Sequence, residues 1–232
     1  MLPEVKPPKE VEGMYDRIGR QHLSERTFYF GLERKRATAL NMESVPGTVE
    51  MVIRLLAEYP SGTKVLDYGC GQHKSAYLRA MGFSVHSCDI LDFQLDNYTK
   101  VDPKAEHLPF SDRQFQVSVI SEVVEHIENP WAILRELMRV TSEAIIITTP
   151  NVASLKSKEV FAATGYLHWF TPDIAYHITP VFYWQLQRFV AEQGWAIEAV
   201  YGNHQAFGLA DQGKILDFAE SIIVRITPPK HA

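Results

Sequence analysis

The sequence predicts an α/β protein built on a doubly wound, mostly parallel sheet. Three observations point there. Strand-like and helix-like segments alternate between Pro46 and Pro150, the rhythm of helices returning the chain to one sheet. The segments VSVI (117–120) and AIIIT (144–148) are largely apolar runs, as parallel strands covered on both faces require. A first strand, VLDY, runs into paired glycines, Gly69 and Gly71, at the strand end where such sheets hold ligands.

The elements follow in order. Residues 1–10 are rich in Pro, Lys and Glu and read as a loose tail, and 11–40 as an irregular, charged and aromatic helical stretch. We therefore take 1–43 as an N-terminal tail and helical extension, and 44–232 as the main domain. Val49, Val52, Ile53, Leu56 and Ala57 recur at helical spacing up to Pro60. Lys64–Asp67 begins a strand, Ser75–Met81 is a helix ended by Gly82, and Phe83–Cys88 is a strand closing at Asp89. Gln116–Ile120 is a strand, and Pro130–Val140 is an amphipathic helix with Trp131, Ile133, Leu134, Leu137, Met138 and Val140 on its apolar face. Ala144–Thr149 is a buried strand ended by Pro150-Asn151. Residues 152–180 are aromatic and weakly periodic, and 150–180 is expected to form a lid. Pro180–Gln193 is a helix, Trp195–Tyr201 and Ser221–Thr227 are late strands, and 202–220 holds a loop and a short helix.

Composition narrows the class. With 232 residues, 46% hydrophobic and 22% charged, the chain is globular rather than disordered. Lys plus Arg number 23 against 28 Asp plus Glu, a net charge of −5 that argues against a general nucleic-acid coat. Cys70 and Cys88 make neither a disulfide framework nor a CxxC zinc site and are expected to be small buried packers. The N-terminus lacks the apolar core of a signal peptide, and no apolar stretch is long enough to span a bilayer. A cytoplasmic protein without a membrane span is expected.

The chemistry concentrates in VLDYGCGQH, residues 65–73. Gly69 and Gly71 let a ligand approach the main chain. A dinucleotide site would want a third glycine where Lys74 stands. Asp67 would repel a pyrophosphate but suits a ligand carrying an ammonium or sulfonium. Asp89, at the next strand end, is the expected partner of ribose hydroxyls; the plainer readings are a tight turn for the glycines and a helix cap for Asp89.

The segments KVLDYGCG, SVHSCDI, AEHLPFSDRQFQVSVISEVVEHIENPWAILRELMRV and AIIITTPN, in this order over 64–151, resemble a class I S-adenosylmethionine-dependent methyltransferase of the type 11/23 kind. The resemblance implies a Rossmann-like, seven-stranded sheet with an antiparallel last strand and helices on both faces. It implies that Asp67, Gly69 and Gly71 flank the methionine part of S-adenosylmethionine and Asp89 holds its ribose. Ile90 and Leu108 would sandwich adenine, with Ala105 and Glu106 at its edge, and Ser121 and Glu122 would close the site. Four places depart from the pattern: His73 after the loop, Lys104 where an acid usually meets the adenine amine, Gln116 for an Asp, and Thr141-Ser142-Glu143 for a Gly-Gly turn.

Methyl transfer to a hydroxyl needs positioning and removal of a proton, by a base or a metal. Glu122, Glu125 and His126 in EVVEH would share one face if the segment is helical. A similar ExxEH with a distant histidine occurs in metal-dependent small-RNA 2′-O-methyltransferases, and His177 would be that histidine here. Glu125, His126 and His177 are thus the candidate catalytic residues, and Glu122, Glu125, His126 and His177 the candidate ligands of a divalent cation. The reading in which the Glu-His pair only orders the loop is preferred. Residues 150–201 resemble the acceptor side of methyltransferases of polysaccharide and lipid-sugar biosynthesis; Tyr166, His168, Trp169, Phe170 and Tyr176 offer faces on which a pyranose can stack, or pack the lid.

The expected function is therefore methylation of a hydroxyl on a small-molecule or saccharide acceptor. The alternatives are a metal-dependent RNA 2′-O-methyltransferase, which a basic face of Arg17, Arg20, Arg26, Arg34, Lys35 and Arg36 would favour, and a non-catalytic S-adenosylmethionine-binding partner protein. Nucleic acid is disfavoured by the charge.

Overall fold

A computed structural model describes residues 47–71, 75–93, 95–102, 105–203 and 210–229, within a compact unit spanning Ser44–Ala232. The expected N-terminal extension with its arginines and Lys35, and the departures at His73 and Lys104, lie outside the described residues.

Seven strands form one sheet: β1 (Lys64–Tyr68), β2 (Ser84–Asp89), β3 (Tyr98–Lys100), β4 (Phe115–Ser121), β5 (Thr141–Pro150), β6 (Ala196–Gly202) and β7 (Ser221–Thr227). Their order is β3-β2-β1-β4-β5-β7-β6. β1 is parallel to β2 and β4, and β7 runs antiparallel to both β5 and β6, as the resemblance implied. The order reverses on the two sides of β1, so the crevice beyond the carboxyl ends of β1 and β4 is the topological switch point. Val117, Val119, Ile120, Ile145, Ile146 and Ile147 are buried at the centre, which is why those two segments read as apolar runs.

The helices are α1 (Gly47–Leu56), α2 (Ser75–Ala80), α3 (Pro130–Val140), α4 (Leu155–Thr164), α5 (Tyr183–Glu192) and α6 (Gln212–Phe218). α3 starts as its sequence dictates: the Asn129 side chain accepts from the Ala132 amide at 3.3 Å, with Pro130 in the first turn. Ile133, Leu134, Leu137 and Met138 are buried on its inner face.

Two elements were not foreseen. β3 is three residues long, with no buried side chain to mark it. α4 buries only Ser157, so it has no apolar period to read; its Ser154 cap and left-handed Gly165 end define it instead. β5 also begins earlier than expected. Thr141-Ser142-Glu143, where a turn was looked for, belong to the strand itself: Thr141 bonds Ser118 at 2.5 Å and Ser142 donates to the Phe115 carbonyl at 3.2 Å. Gln116 links the neighbouring strands, accepting from the Lys64 amide and donating to Glu143.

Candidate active site

The loop after β1 is shaped by main-chain bonds. The Gly69 and Cys70 amides both donate to the Cys88 carbonyl, at 2.8 and 3.2 Å, tying the loop to the end of β2. Gly69 sits at φ +70°, and a Cβ there would stand 2.5 Å from Val123 Cγ2, so both conformation and space require glycine. Gly71, at φ +55°, has nothing within 4 Å of where a Cβ would stand among the described residues. The Gly71 amide donates to Asp89 Oδ2 at 3.0 Å, and the Leu91 amide to Oδ1 at 3.1 Å. Asp89 thus joins the two strand-end turns through its carboxylate, and each oxygen retains capacity for a further donor.

Asp67 is buried and accepts from Ser75 Oγ at 2.6 Å. Ser75 lies 2.7 Å from Ser87 Oγ, which accepts from Arg79 at 2.8 Å. The bonds are all satisfied in one direction: Arg79 donates to Ser87, Ser87 to Ser75, and Ser75 to Asp67. The buried carboxylate is therefore connected to a guanidinium through two hydroxyls. Burial, then Asp67 and Asp89, push the Cys70 thiol up to about 12, and burial likewise raises Cys88. Both are packers, not nucleophiles.

On the expected adenine side, Ile90, Ala105 and Glu106 are exposed and Leu108 is buried. The sequence reading missed what holds this loop. Glu136 of α3 accepts from the Leu108 amide at 2.7 Å, bonds His107 at 3.1 Å, and takes two bonds from Arg139 at 3.0 and 2.8 Å. Arg139 also donates to the carbonyls of Phe110 and Leu108 and to Asp112. The Arg139 bonds chiefly hold the Glu136 carboxyl down to about 2. A Glu and an Arg three apart on the inner side of an amphipathic helix were the available signal.

At the end of β4, Ser121 Oγ meets Thr148 Oγ1 at 2.9 Å. Glu122 takes a left-handed φ of +52°. Its amide donates to Thr148 O and Oγ1 at 3.0 and 2.9 Å, while its carboxylate accepts from Thr148 at 2.9 Å and from Ser221 at 3.5 Å. This corrects the expected helical face. Only Val124–His126 form a turn of 3-10 helix, and the positive φ directs Glu122 toward β5 and β7 instead of alongside Glu125 and His126.

Those two meet His177 instead. The Glu125 carbonyl accepts from the amides of Ile178 and Thr179 at 2.9 and 3.0 Å, and Thr179 Oγ1 donates to the Ile127 carbonyl at 2.7 Å. These bonds lay 177–179 across the turn. Glu125 is fully buried, with Oε2 at 3.5 Å from Thr149 Oγ1 and Oε1 at 3.8 Å from His126 Nε2. His126 Nδ1 donates to the Tyr176 carbonyl at 3.0 Å, and His177 Nδ1 to the Trp169 carbonyl at 2.7 Å. One ligand atom each from Glu125, His126 and His177 fall within 4.8 Å of one another. Among the described residues Glu122, named above as a candidate fourth ligand, is not in this cluster. Burial, then His126, push the His177 ring down to about 4.

The aromatic stretch mostly packs on itself. Tyr176 stacks on His126 with centroids 5.2 Å apart, Phe170 lies 5.4 Å from His177, and His168 4.7 Å from Trp169. Trp169 holds a φ of +71°, uncommon for a bulky residue. Tyr166 and Phe161 stay exposed. Among the described residues no helix is long and apolar enough to cross a membrane.

Comparison with known proteins matches this geometry. Residues 66–146 fit the family model described as a methyltransferase domain. A SAM-dependent methyltransferase from Archaeoglobus fulgidus shares the fold at 20% identity and a TM-score of 0.53, covering 86% of this chain and 99% of its own. An S-adenosylmethionine-dependent methyltransferase from Mesorhizobium loti does so at 16% and 0.53, covering 78% and 97%. The [4+2]-cyclase SpnF shares it too, at 15% and 0.52, covering 78% and 81%, so the fold carries more than one chemistry. No curated protein matches the chain. By domain and by fold, the chain is similar to S-adenosylmethionine-dependent methyltransferases.

Proposed function

We propose that this chain is an S-adenosylmethionine-dependent methyltransferase that modifies a hydroxyl on a small molecule or saccharide. The observation that carries the reading is the Asp89 carboxylate, held by the Gly71 and Leu91 amides at the switch point of the sheet. A ribose diol placed there would donate to Asp89, and the open side of Gly71 leaves room for the rest of the cofactor. Asp67 and Gly69 are assigned to the methionine end, Ile90, Ala105, Glu106 and Leu108 to adenine, and Ser121 and Glu122 to the closing edge. When bound, S-adenosylmethionine supplies a methyl group on a positively charged sulfur.

The chain's own contribution is position and proton removal. Glu125 and His126, in the turn after β4, cluster with His177 within 4.8 Å, and we assign the three the acceptor hydroxyl. Tyr166 and Phe161, exposed on the acceptor side, offer faces to a sugar ring. The buried thiols fit a reducing compartment such as the cytoplasm.

Calorimetric titration with S-adenosylmethionine and S-adenosylhomocysteine tests the cofactor. We expect one site per chain, followed by methyl transfer from labelled cofactor to a member of a saccharide and phenol panel. A folded sample that binds neither compound overturns the reading; transfer only to RNA replaces the acceptor class.

A further inference from the structure

We propose that Tyr98 is a positioning residue for the ribose, because its hydroxyl fixes the Asp89–Leu91 turn that directs the Asp89 carboxylate. That turn has little core of its own. Ile90 and Leu91 are 50% and 59% exposed, so packing contributes little to its shape. Its shape nevertheless decides where Asp89 points. The Leu91 amide donates to Asp89 Oδ1 at 3.1 Å, closing a side-chain turn, and the Gly71 amide donates to Oδ2 at 3.0 Å. If Leu91 swings away, the carboxylate loses one of the two donors that aim it.

Tyr98 opposes that movement. Its hydroxyl donates to the Leu91 carbonyl and lies 3.2 Å from the Asp89 carbonyl. A main-chain carbonyl only accepts, so the phenol proton is directed at the two ends of the turn. Burial pushes the Tyr98 hydroxyl up to about 12, and it remains a donor at neutral pH.

The surroundings fix Tyr98 in turn. β3 pairs with β2 so that Tyr98 lies beside Ser87 and Lys100 beside Asp89. The Ser87 amide donates to the Asn97 carbonyl and the Val101 amide to the Asp89 carbonyl, both at 2.9 Å, bracketing the strand. The rings of Phe93 and Tyr98 meet edge to face at 6.3 Å. Arg79 reaches from α2 to the Asp96 carbonyl at 3.1 Å while donating to Ser87 on β2, which ties the approach to β3 to the same neighbour. A three-residue strand that buries no side chain thus has a use: it brings one phenol to the turn after β2. The hold on the turn rests on these bonds; its service to a ribose rests on the assignment of Asp89 made above.

The test is calorimetric titration of the full-length protein with S-adenosylhomocysteine and with its 2′,3′-dideoxy analogue, which lacks the diol. Loosening at Ile90 weakens both probes alike, so the difference between them reports the carboxylate. Tyr98→Phe keeps the ring and removes the donor. Checked for fold by circular dichroism, it should bind S-adenosylhomocysteine about tenfold more weakly and the analogue within about threefold of wild type. Replacement of Tyr98 by 4-aminophenylalanine restores a donor and should recover affinity to within about threefold. In an Asp89→Ala background Tyr98→Phe should add no loss, since the hydroxyl acts through the carboxylate. Unchanged affinity of Tyr98→Phe overturns the proposal, as does an equal loss for both probes, a loss that 4-aminophenylalanine does not recover, or a loss that adds to that of Asp89→Ala. A wild type that binds the two probes equally overturns the assignment of Asp89 to the ribose, and a folded wild type that binds neither overturns the cofactor reading, the role of Tyr98 falling with each.

Discussion

The two sides of the crevice are built from different materials. The side formed by β1 and β2 is made mostly of main chain: two glycines, four amides and the Asp89 carboxylate, all within or directly after two neighbouring strands. The side formed after β4 is made of side chains drawn from segments about fifty residues apart and stitched by bonds from Ile178, Thr179 and Tyr176 to 125–127. A main-chain cradle can hold a ligand common to many proteins, because it asks little of the side chains. A side-chain cluster carried on an irregular segment can be retuned without disturbing the sheet, and so suits the part of the reaction that varies.

Removing the Asp89 carboxylate should divide the two sides most sharply. Asp89→Ala should weaken S-adenosylhomocysteine binding at least about a hundredfold, equivalent to about 3 kcal/mol for one ionised partner. The fold of the same variant should be retained; calorimetry and a denaturant melt read the two, and a loss of fold together with binding would mean that Asp89 holds the two turns rather than the ligand.

Gly69→Ala should cost about 2–3 kcal/mol of stability in a denaturant melt, from a positive φ and a clash with Val123. Gly71→Ala, with the same sign of φ but open space, should cost only about 1 kcal/mol. Equal costs would mean that Val123 does not press on a side chain at position 69.

Glu136→Gln should cost about 2 kcal/mol at neutral pH, through bonds made to charged groups. The Glu136 carboxyl is lowered from 4.5 to about 2 in the folded chain. Its stabilisation is therefore complete above about pH 4.5 and disappears as pH falls toward 2. The stability gap between wild type and variant should close over that range in urea melts. Asn129→Ala should show the smallest effect, about 1 kcal/mol for a helix cap, with S-adenosylhomocysteine affinity unaltered.

The contrast also explains what the sequence revealed. The β1 loop, Asp89 and the central strands were legible because each depends on local grammar: a glycine after a strand, an acid at the next strand end, an apolar run. α4 was not legible, since a helix that buries only Ser157 leaves no period. Glu122 was misdirected because nothing in EVVEH announces a positive φ; it follows from the Thr148 bonds across β5. His177 was selected by its place in the chain, but the carbonyls that set its proton and that of His126 lie on a segment whose path only the fold supplies. Glu136 and Arg139 were not singled out, although they anchor the loop from His107 to Asp112.

The Val123–Gly69 contact bears on how this scaffold could be rebuilt. A new acceptor arm grafted onto it brings its own turn after β4, and any side chain bulkier than valine at position 123 would press on the loop beneath. A chimera that changes 124–180 while keeping Val123 inherits an intact loop after β1. One whose junction lies earlier, at the end of β4, must redesign both halves together.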